Sequence, residues 1–184
     1  FVPENIPAGT YVIELGMYQT SGRGELMQLN APKRGDRAYD LGRIQIALPS
    51  SKAEYVSGWY DAESEPQERW YHWRWMGKSA VLRVENPKAD SLLYLKAAAE
   101  LTRFPKSPQV RVSVNGQEID SFEVDTPEFS KMYHVAKKDL GPGERVELKV
   151  ETDATFVPAS DKVSQDRREL GLKVFLFYLG KASD

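Results

Sequence analysis

Two short runs hold the residues best suited to chemistry. Gly58-Trp59-Tyr60-Asp61-Ala62-Glu63 is followed by Arg69-Trp70-Tyr71-His72-Trp73-Arg74-Trp75-Met76-Gly77, and all 4 tryptophans of the chain lie in them. Trp and Tyr join a large apolar ring to one polar handle. That combination suits a ligand with an apolar face and a hydroxylated rim, and a pyranose is such a ligand: a ring stacks on its C–H face while Arg, Asp and Glu take its hydroxyls. Strand alternation puts Trp73 and Trp75 on one face and His72 and Arg74 on the other, which assigns Trp73 and Trp75 to the core. Trp59, Tyr60 and Trp70 fall near strand ends and are the stacking candidates. Glu63 and Arg74 are their polar neighbours in sequence, and Arg74 suits either a bidentate bond to a ligand or a pair with a loop acid. The plainer alternative makes these aromatics core and rim of a sheet protein.

A second polar cluster, Asp166-Arg167-Arg168-Glu169-Leu170-Gly171, follows Thr155-Phe156-Val157-Pro158-Ala159. Asp166 and Arg168 bracket a turn into the final strand. They read as an ion pair fastening that loop, or as a ligand-facing pair at one end of the fold.

Other chemistries find less support. The 2 histidines, His72 and His134, are far apart and have no partner at ligand spacing. There is no cysteine, hence no thiolate site, disulfide or thiol nucleophile. No Gly-x-Ser-x-Gly elbow occurs, and Gly22-Arg23-Gly24 is too short for a phosphate loop. Asp61, Glu63, Glu65 and Glu68 offer paired carboxylates for glycoside hydrolysis. Beside Ser64 and Pro66 they read as an exposed loop, so no catalytic residue is assigned. Asp153, Asp161 and Asp166 are candidates for a structural calcium, but their spacing is not that of an EF-hand loop and solvated loop acids are the simpler reading. Neither a cofactor nor a metal ligand is expected.

Along the chain the dominant period is two. Tyr11, Ile13, Leu15 and Met17 share a face, as do Ile44, Ile46 and Leu48; Val110, Val112 and Val114; Val146, Leu148 and Val150; and Leu172, Val174, Leu176 and Tyr178. Leu93, Leu95, Ala97 and Ala99 also alternate, so that stretch is read as a strand. Asn115-Gly116 signals a type I′ hairpin, and Gly141-Pro142-Gly143 and Asn86-Pro87 mark further reversals. Many short strands separated by turns predict an all-β, antiparallel β-sandwich or jelly roll. A small N-terminal β unit with Gly-rich turns (Gly22, Gly24, Gly35) is expected over 1–50 and the larger sandwich over 51–184, joined at Pro49-Ser50-Ser51-Lys52.

Composition adds bounds. The 184 residues suit one domain with an appendage, and 41% hydrophobic content can build a core. With 25 basic and 27 acidic residues the net charge is −2, which argues against a nucleic-acid partner. No apolar run is long enough for a membrane helix. The start at Phe1-Val2-Pro3-Glu4 reads as a mature chain or an excised domain. Cysteine usage leaves the compartment open.

Ile6-Pro7-Ala8-Gly9-Thr10-Tyr11-Val12-Ile13-Glu14-Leu15-Gly16-Met17-Tyr18, followed by Leu41-Gly42-Arg43-Ile44, resembles a segment in the extracytoplasmic C-terminal regions of polytopic glycosyltransferases of the dolichyl-phosphate-mannose mannosyltransferase type. The larger part, from Gly58-Trp59-Tyr60 through Trp73-Arg74-Trp75-Met76-Gly77 to Phe156-Val157-Pro158 and Asp166-x-Arg168-x-Leu170-Gly171, is similar to a carbohydrate-binding-module-like β-sandwich of bacterial cell-envelope proteins. The chain departs from such transferases in lacking a membrane helix. The resemblance therefore implies a non-catalytic accessory domain, extracytoplasmic (periplasmic or at the cell surface), partnered by the membrane domain of the same polypeptide and by a glycan. Trp59, Tyr60 and Trp70 would stack on sugar rings, while Glu63, Arg74, Asp166 and Arg168 would bond hydroxyls. The alternative is a structural or protein-interaction module with no sugar ligand, since interfaces favour the same residue types.

Overall fold

The structure, a computed structural model, describes residues 9–16, 38–46, 53–65, 68–161 and 164–182. The chain divides into two compact units, Phe1–Ser50 and Ser51–Asp184.

In the first unit β1 (Gly9–Gly16) and β2 (Ala38–Ile46) pair antiparallel, from Gly9 opposite Ile46 to Gly16 opposite Ala38. Leu41 drops out of register between the Ile13–Gly42 and Glu14–Asp40 pairs, a one-residue bulge. Gly22, Gly24, Gly35 and the expected joint at Pro49–Lys52 lie outside the described residues.

The second unit is an antiparallel sandwich of β3 (Glu54–Glu65), β4 (Glu68–Glu85), β5 (Ser91–Ala98), β6 (Gln109–Val114), β7 (Gln117–Glu123), β8 (Glu128–Val135), β9 (Arg145–Thr152) and β10 (Lys173–Lys181). The strand order is β7-β6-β9-β4-β10-β5-β8, with β3 alongside β4. At 18 residues β4 is long enough to pair with three strands, β3, β9 and β10. Its second half, Ser79–Glu85, pairs with β9, and its first half meets β10 at Arg74 and Trp75.

Alternation explains the core. Val110, Val112 and Val114 of β6 and Val146, Leu148 and Val150 of β9 point inward with Leu82 and Val84 of β4. Leu93, Leu95 and Ala97 of β5 and Val174, Phe177 and Leu179 of β10 supply the rest. Each fully buried Leu or Val contributes about 1.5–3 kcal/mol. Strands β7 and β8, the ends of the order, are clasped together. The Tyr133 hydroxyl donates to Asp120 Oδ2 at 2.9 Å, and the Phe122 and Phe129 rings meet edge to face at 5.3 Å. Burial, reinforced by the bond to Asp120, pushes the Tyr133 phenol well above its ordinary value.

Turn chemistry is local and matches the sequence. Asn115 and Gly116 both have positive φ, 49° and 81°, as a type I′ turn requires. The Asn86 amide nitrogen donates to the carbonyls of Leu140 (3.3 Å), Gly141 (3.0 Å) and Gly143 (2.8 Å), tying the Gly141-Pro142-Gly143 reversal to the end of β4.

Two expectations change. The Leu172–Tyr178 alternation breaks because the β10–β5 register shifts between Val174 and Leu176. The extra residue flips the face, so Phe177 and Leu179 are buried while Tyr178 is 47% exposed. Trp73 is buried as expected, beneath the Lys173 ammonium 3.7 Å from its ring centre, whereas Trp75 is only half-buried and packs on Phe156. The central cluster takes Met76, Ala80, Leu82 and Val84 from β4.

Candidate functional site

The site begins at a bend between β3 and β4. Ser57 stands opposite Val81, but Trp59 stands opposite Met76, so a stretch of β4 is looped out against Gly58. Gly58 has φ 77°, and a Cβ there would sit 1.8 Å from the Ser79 carbonyl oxygen. Only glycine fits. The bend turns Trp59 and Tyr60 in different directions. Trp59 is half-buried against the core, and its indole N–H donates to the Val81 carbonyl at 2.8 Å.

Tyr60 is held at three points. Its carbonyl accepts from Arg74 Nη1 at 2.8 Å. Its hydroxyl donates to the Glu169 carbonyl at 3.1 Å. The Arg168 guanidinium lies 5.2 Å from its ring centre.

The loop before β10 delivers Arg168. Phe156 and Leu170 exchange a pair of backbone bonds at 2.8 Å, Ala159 N donates to the Asp166 carbonyl at 2.8 Å, and Gly171 N donates to the Met76 carbonyl at 2.7 Å. The Asp166 carboxylate also accepts from Arg168 N at 2.9 Å, closing an Asx-type turn. Arg168 is thus presented from a loop stitched to itself and to β4. Its Nε donates to both Asp166 oxygens at 3.0 and 3.1 Å, and Nη2 donates to Oδ2 at 2.7 Å, while Nη1 donates to Glu63 Oε1 at 2.7 Å. All three side chains stay partly open to solvent, at 35% for Arg168, 34% for Glu63 and 26% for Asp166. The Arg168 bonds hold the Asp166 carboxyl below its usual value, and Asp166 and Glu63 push the guanidinium up in turn.

Of the residues singled out in the sequence, the structure brings Tyr60, Glu63, Asp166 and Arg168 together around one guanidinium. Arg74 joins through the Tyr60 carbonyl and lies 4.2 Å from the Tyr55 ring centre. Trp59 adjoins through backbone but faces the core. Trp70 is on β4, with its side chain outside the described residues. Sequence reading assigned no role to Tyr55, which stacks on Arg74 and meets Trp59 edge to face at 5.4 Å. It also missed Glu169, whose carboxylate accepts from Thr155 Oγ1 at 2.6 Å. Tyr55 gave only a strand-propensity signal, while Glu169 already stood in the Asp166–Gly171 cluster.

Among the described residues no group of three or more His, Asp or Glu is placed to hold a metal ion. Asp153, one of the calcium candidates, accepts from Gln109 N at 2.7 Å and pairs with Lys106. The Asp161 side chain lies outside the described residues. Chemically, the cluster combines an aromatic ring, a guanidinium with unused N–H groups and carboxylate oxygens with unused lone pairs. Its side chains are bonded to one another and partly exposed to solvent.

No protein-family model matches the chain, and no curated protein does. Solved structures do resemble it. A family 61 carbohydrate-binding module solved with β-1,4-galactotriose aligns with 13% identity and a TM-score of 0.40 over 72% of this chain and 89% of that one. A family GH115 4-O-methyl-α-glucuronidase with specificity for decorated arabinogalactans aligns with 13% identity and a TM-score of 0.48, covering 88% of this chain but 20% of the enzyme. A family 35 carbohydrate-binding module from Clostridium thermocellum aligns with 12% identity and a TM-score of 0.36 over 71% of this chain and 99% of that one. All are distant likenesses.

Proposed function

We propose that the Ser51–Asp184 unit is a non-catalytic module that binds a glycan through Tyr60, Glu63, Asp166 and Arg168. One observation carries this reading: a half-exposed guanidinium, braced by two carboxylates, is held against an aromatic ring by a stitched loop. Sugar recognition needs a ring for the C–H face and pre-aimed donors and acceptors for hydroxyls, and holding them rigid lowers the cost of binding. In this scheme Arg74 and Trp59 position the Tyr60 segment. One or two ring contacts leave little surplus after the costs of association, so Kd should fall at about micromolar to millimolar.

Acid catalysis by Asp166 is disfavoured: a glycosidase acid must hold its proton near neutral pH, whereas the Arg168 bonds hold the Asp166 carboxyl below its usual value.

The setting we propose with this function is extracytoplasmic, as an accessory to a membrane glycosyltransferase. The likeness of the Ile6–Tyr18 run to such proteins supports it. No helix of the described residues is long and apolar enough to cross a membrane.

A second reading is favoured by the same bonds: Arg168 is a fastener joining β3 to the β10 loop, and the unit binds no sugar. Titration of a glycan panel onto the full chain, with Tyr60→Ala as the control, separates the two. Saturable binding lost in Tyr60→Ala supports the proposal, and no binding to any glycan supports the fastener.

A further inference from the structure

We infer that this site selects an uncharged sugar presenting two adjacent hydroxyls, and turns away sugars whose carboxylate or sulfate would meet Arg168. The inference rests on the glycan-binding reading above and adds its selectivity.

The donor count comes first. Arg168 has engaged Nε–H, one N–H of Nη1 and one of Nη2, so each terminal nitrogen keeps one N–H for a ligand. Glu63 has given Oε1 to Arg168, and Oε2 remains an acceptor. A hydroxyl both donates and accepts. One hydroxyl can therefore donate to Glu63 Oε2 while accepting from Nη1, and its neighbour can accept from Nη2. Two adjacent hydroxyls on a ring stacked at Tyr60 match that alternation. A lone hydroxyl leaves one N–H without its partner.

Charge decides the rest. An isolated arginine at the mouth of a pocket would favour an anionic sugar. Here two carboxylates already neutralise and outnumber the one guanidinium at the contact point. Glu169, whose backbone carbonyl takes the Tyr60 hydroxyl, adds a third carboxylate to the same loop, bonded to Thr155. Of the neighbouring cations, Arg74 is turned to the Tyr60 carbonyl and the Tyr55 ring, and Arg167, between Asp166 and Arg168, is exposed to solvent and its screening. A sugar carboxylate bonding the free N–H groups would come close to Glu63. Repulsion at a few ångströms in a half-exposed setting is worth about tenfold or more in affinity, and salt screens part of it.

The test titrates the full chain by calorimetry, at low and high salt, with neutral galacto-, gluco- and manno-configured oligosaccharides and the matching galacturonate and glucuronate oligosaccharides. The expected result is neutral binding about tenfold or more tighter than uronate binding at low salt, with the gap narrowing at high salt. Glu63→Gln keeps an acceptor for Arg168 and removes one negative charge, so it should narrow the gap further by strengthening uronate binding. Uronates binding as tightly as neutral sugars, or a gap unmoved by both salt and Glu63→Gln, would overturn the selectivity while leaving the glycan-binding reading in place. Absence of binding to every sugar overturns both.

Discussion

Gly58→Ala is the sharpest perturbation the structure offers, because its cost can be assembled from separate observations. Gly58 sits at φ 77°, a conformation that costs a residue with a Cβ about 1–2 kcal/mol. The new Cβ would lie 1.8 Å from the Ser79 oxygen and 2.9 Å from the Ala80 Cα, both backbone atoms of the paired strand. No rotamer relieves that contact, so β3 must lift from β4. Lifting it breaks the 2.8 Å bond from Trp59 to Val81, worth about 1 kcal/mol, and loosens Trp59 from the core. Together these predict a loss of about 3–5 kcal/mol, among the larger single-substitution effects, and a Tm lower by about 10–20 °C. The assay is denaturant unfolding followed by tryptophan fluorescence and circular dichroism. Gly180→Ala is the companion variant. Its Cβ would lie 2.3 Å from the Tyr178 hydroxyl oxygen, the far end of a side chain that can swing aside, so its cost should stay below about 1 kcal/mol. A Gly58→Ala loss under about 1 kcal/mol, or one no larger than that of Gly180→Ala, would refute the reasoning that backbone contact at this bend admits only glycine.

Three further outcomes are expected. Asn86→Ala removes four hydrogen bonds, but Leu140 keeps Asn115 and Gly143 keeps Lys88, so the Gly141 carbonyl and the Lys88 N–H lose most and the sandwich should be destabilised by about 1–3 kcal/mol in the same unfolding assay. Asp166 has a lowered carboxyl pKa in the folded state, so its stabilisation is present above the ordinary carboxylate value of about 4 and is lost as pH falls below it. Stability measured from pH 7 to pH 3 should drop at the acid end, and Arg168→Ala should flatten part of that drop, with Asp153 supplying some of the remainder. Tyr133 has a raised phenol value, so its contribution is complete below about pH 10 and fades as pH rises further; Tyr133→Phe should be less stable at pH 7 by about 1 kcal/mol and show a shallower alkaline decline.

What the sequence discloses follows from how local each signal is. The valines of β6 and β9 alternate without interruption, and Asn115-Gly116 carries its own turn geometry, so both were readable from neighbouring residues. The bulge in β10 was not readable, because a register shift is set by the partner strand rather than by the strand itself. Trp73 is buried as its place in the strand indicates, whereas Trp75 is only half-buried against Phe156, because which face of β4 meets the central cluster is set by the strands packed on it. The pair of Asp166 with Arg168 spans two residues and was legible as a pair. Its bond to Glu63 spans 105 residues and needed the fold. Without that contact, Glu63 and Tyr60 read only as part of an aromatic and acidic stretch, and the direction in which Gly58 aims Tyr60 could not be foreseen.

The most direct test of glycan binding is titration of neutral oligosaccharides onto the full chain, observed by calorimetry or by NMR shifts, beside Tyr60→Ala and Arg168→Ala variants whose circular dichroism shows them folded. The account predicts saturable binding at micromolar to millimolar Kd in the native chain and its loss, by about tenfold or more, in both variants. Binding that persists unchanged in the folded variants would contradict the site, and absence of binding across the panel would contradict the function.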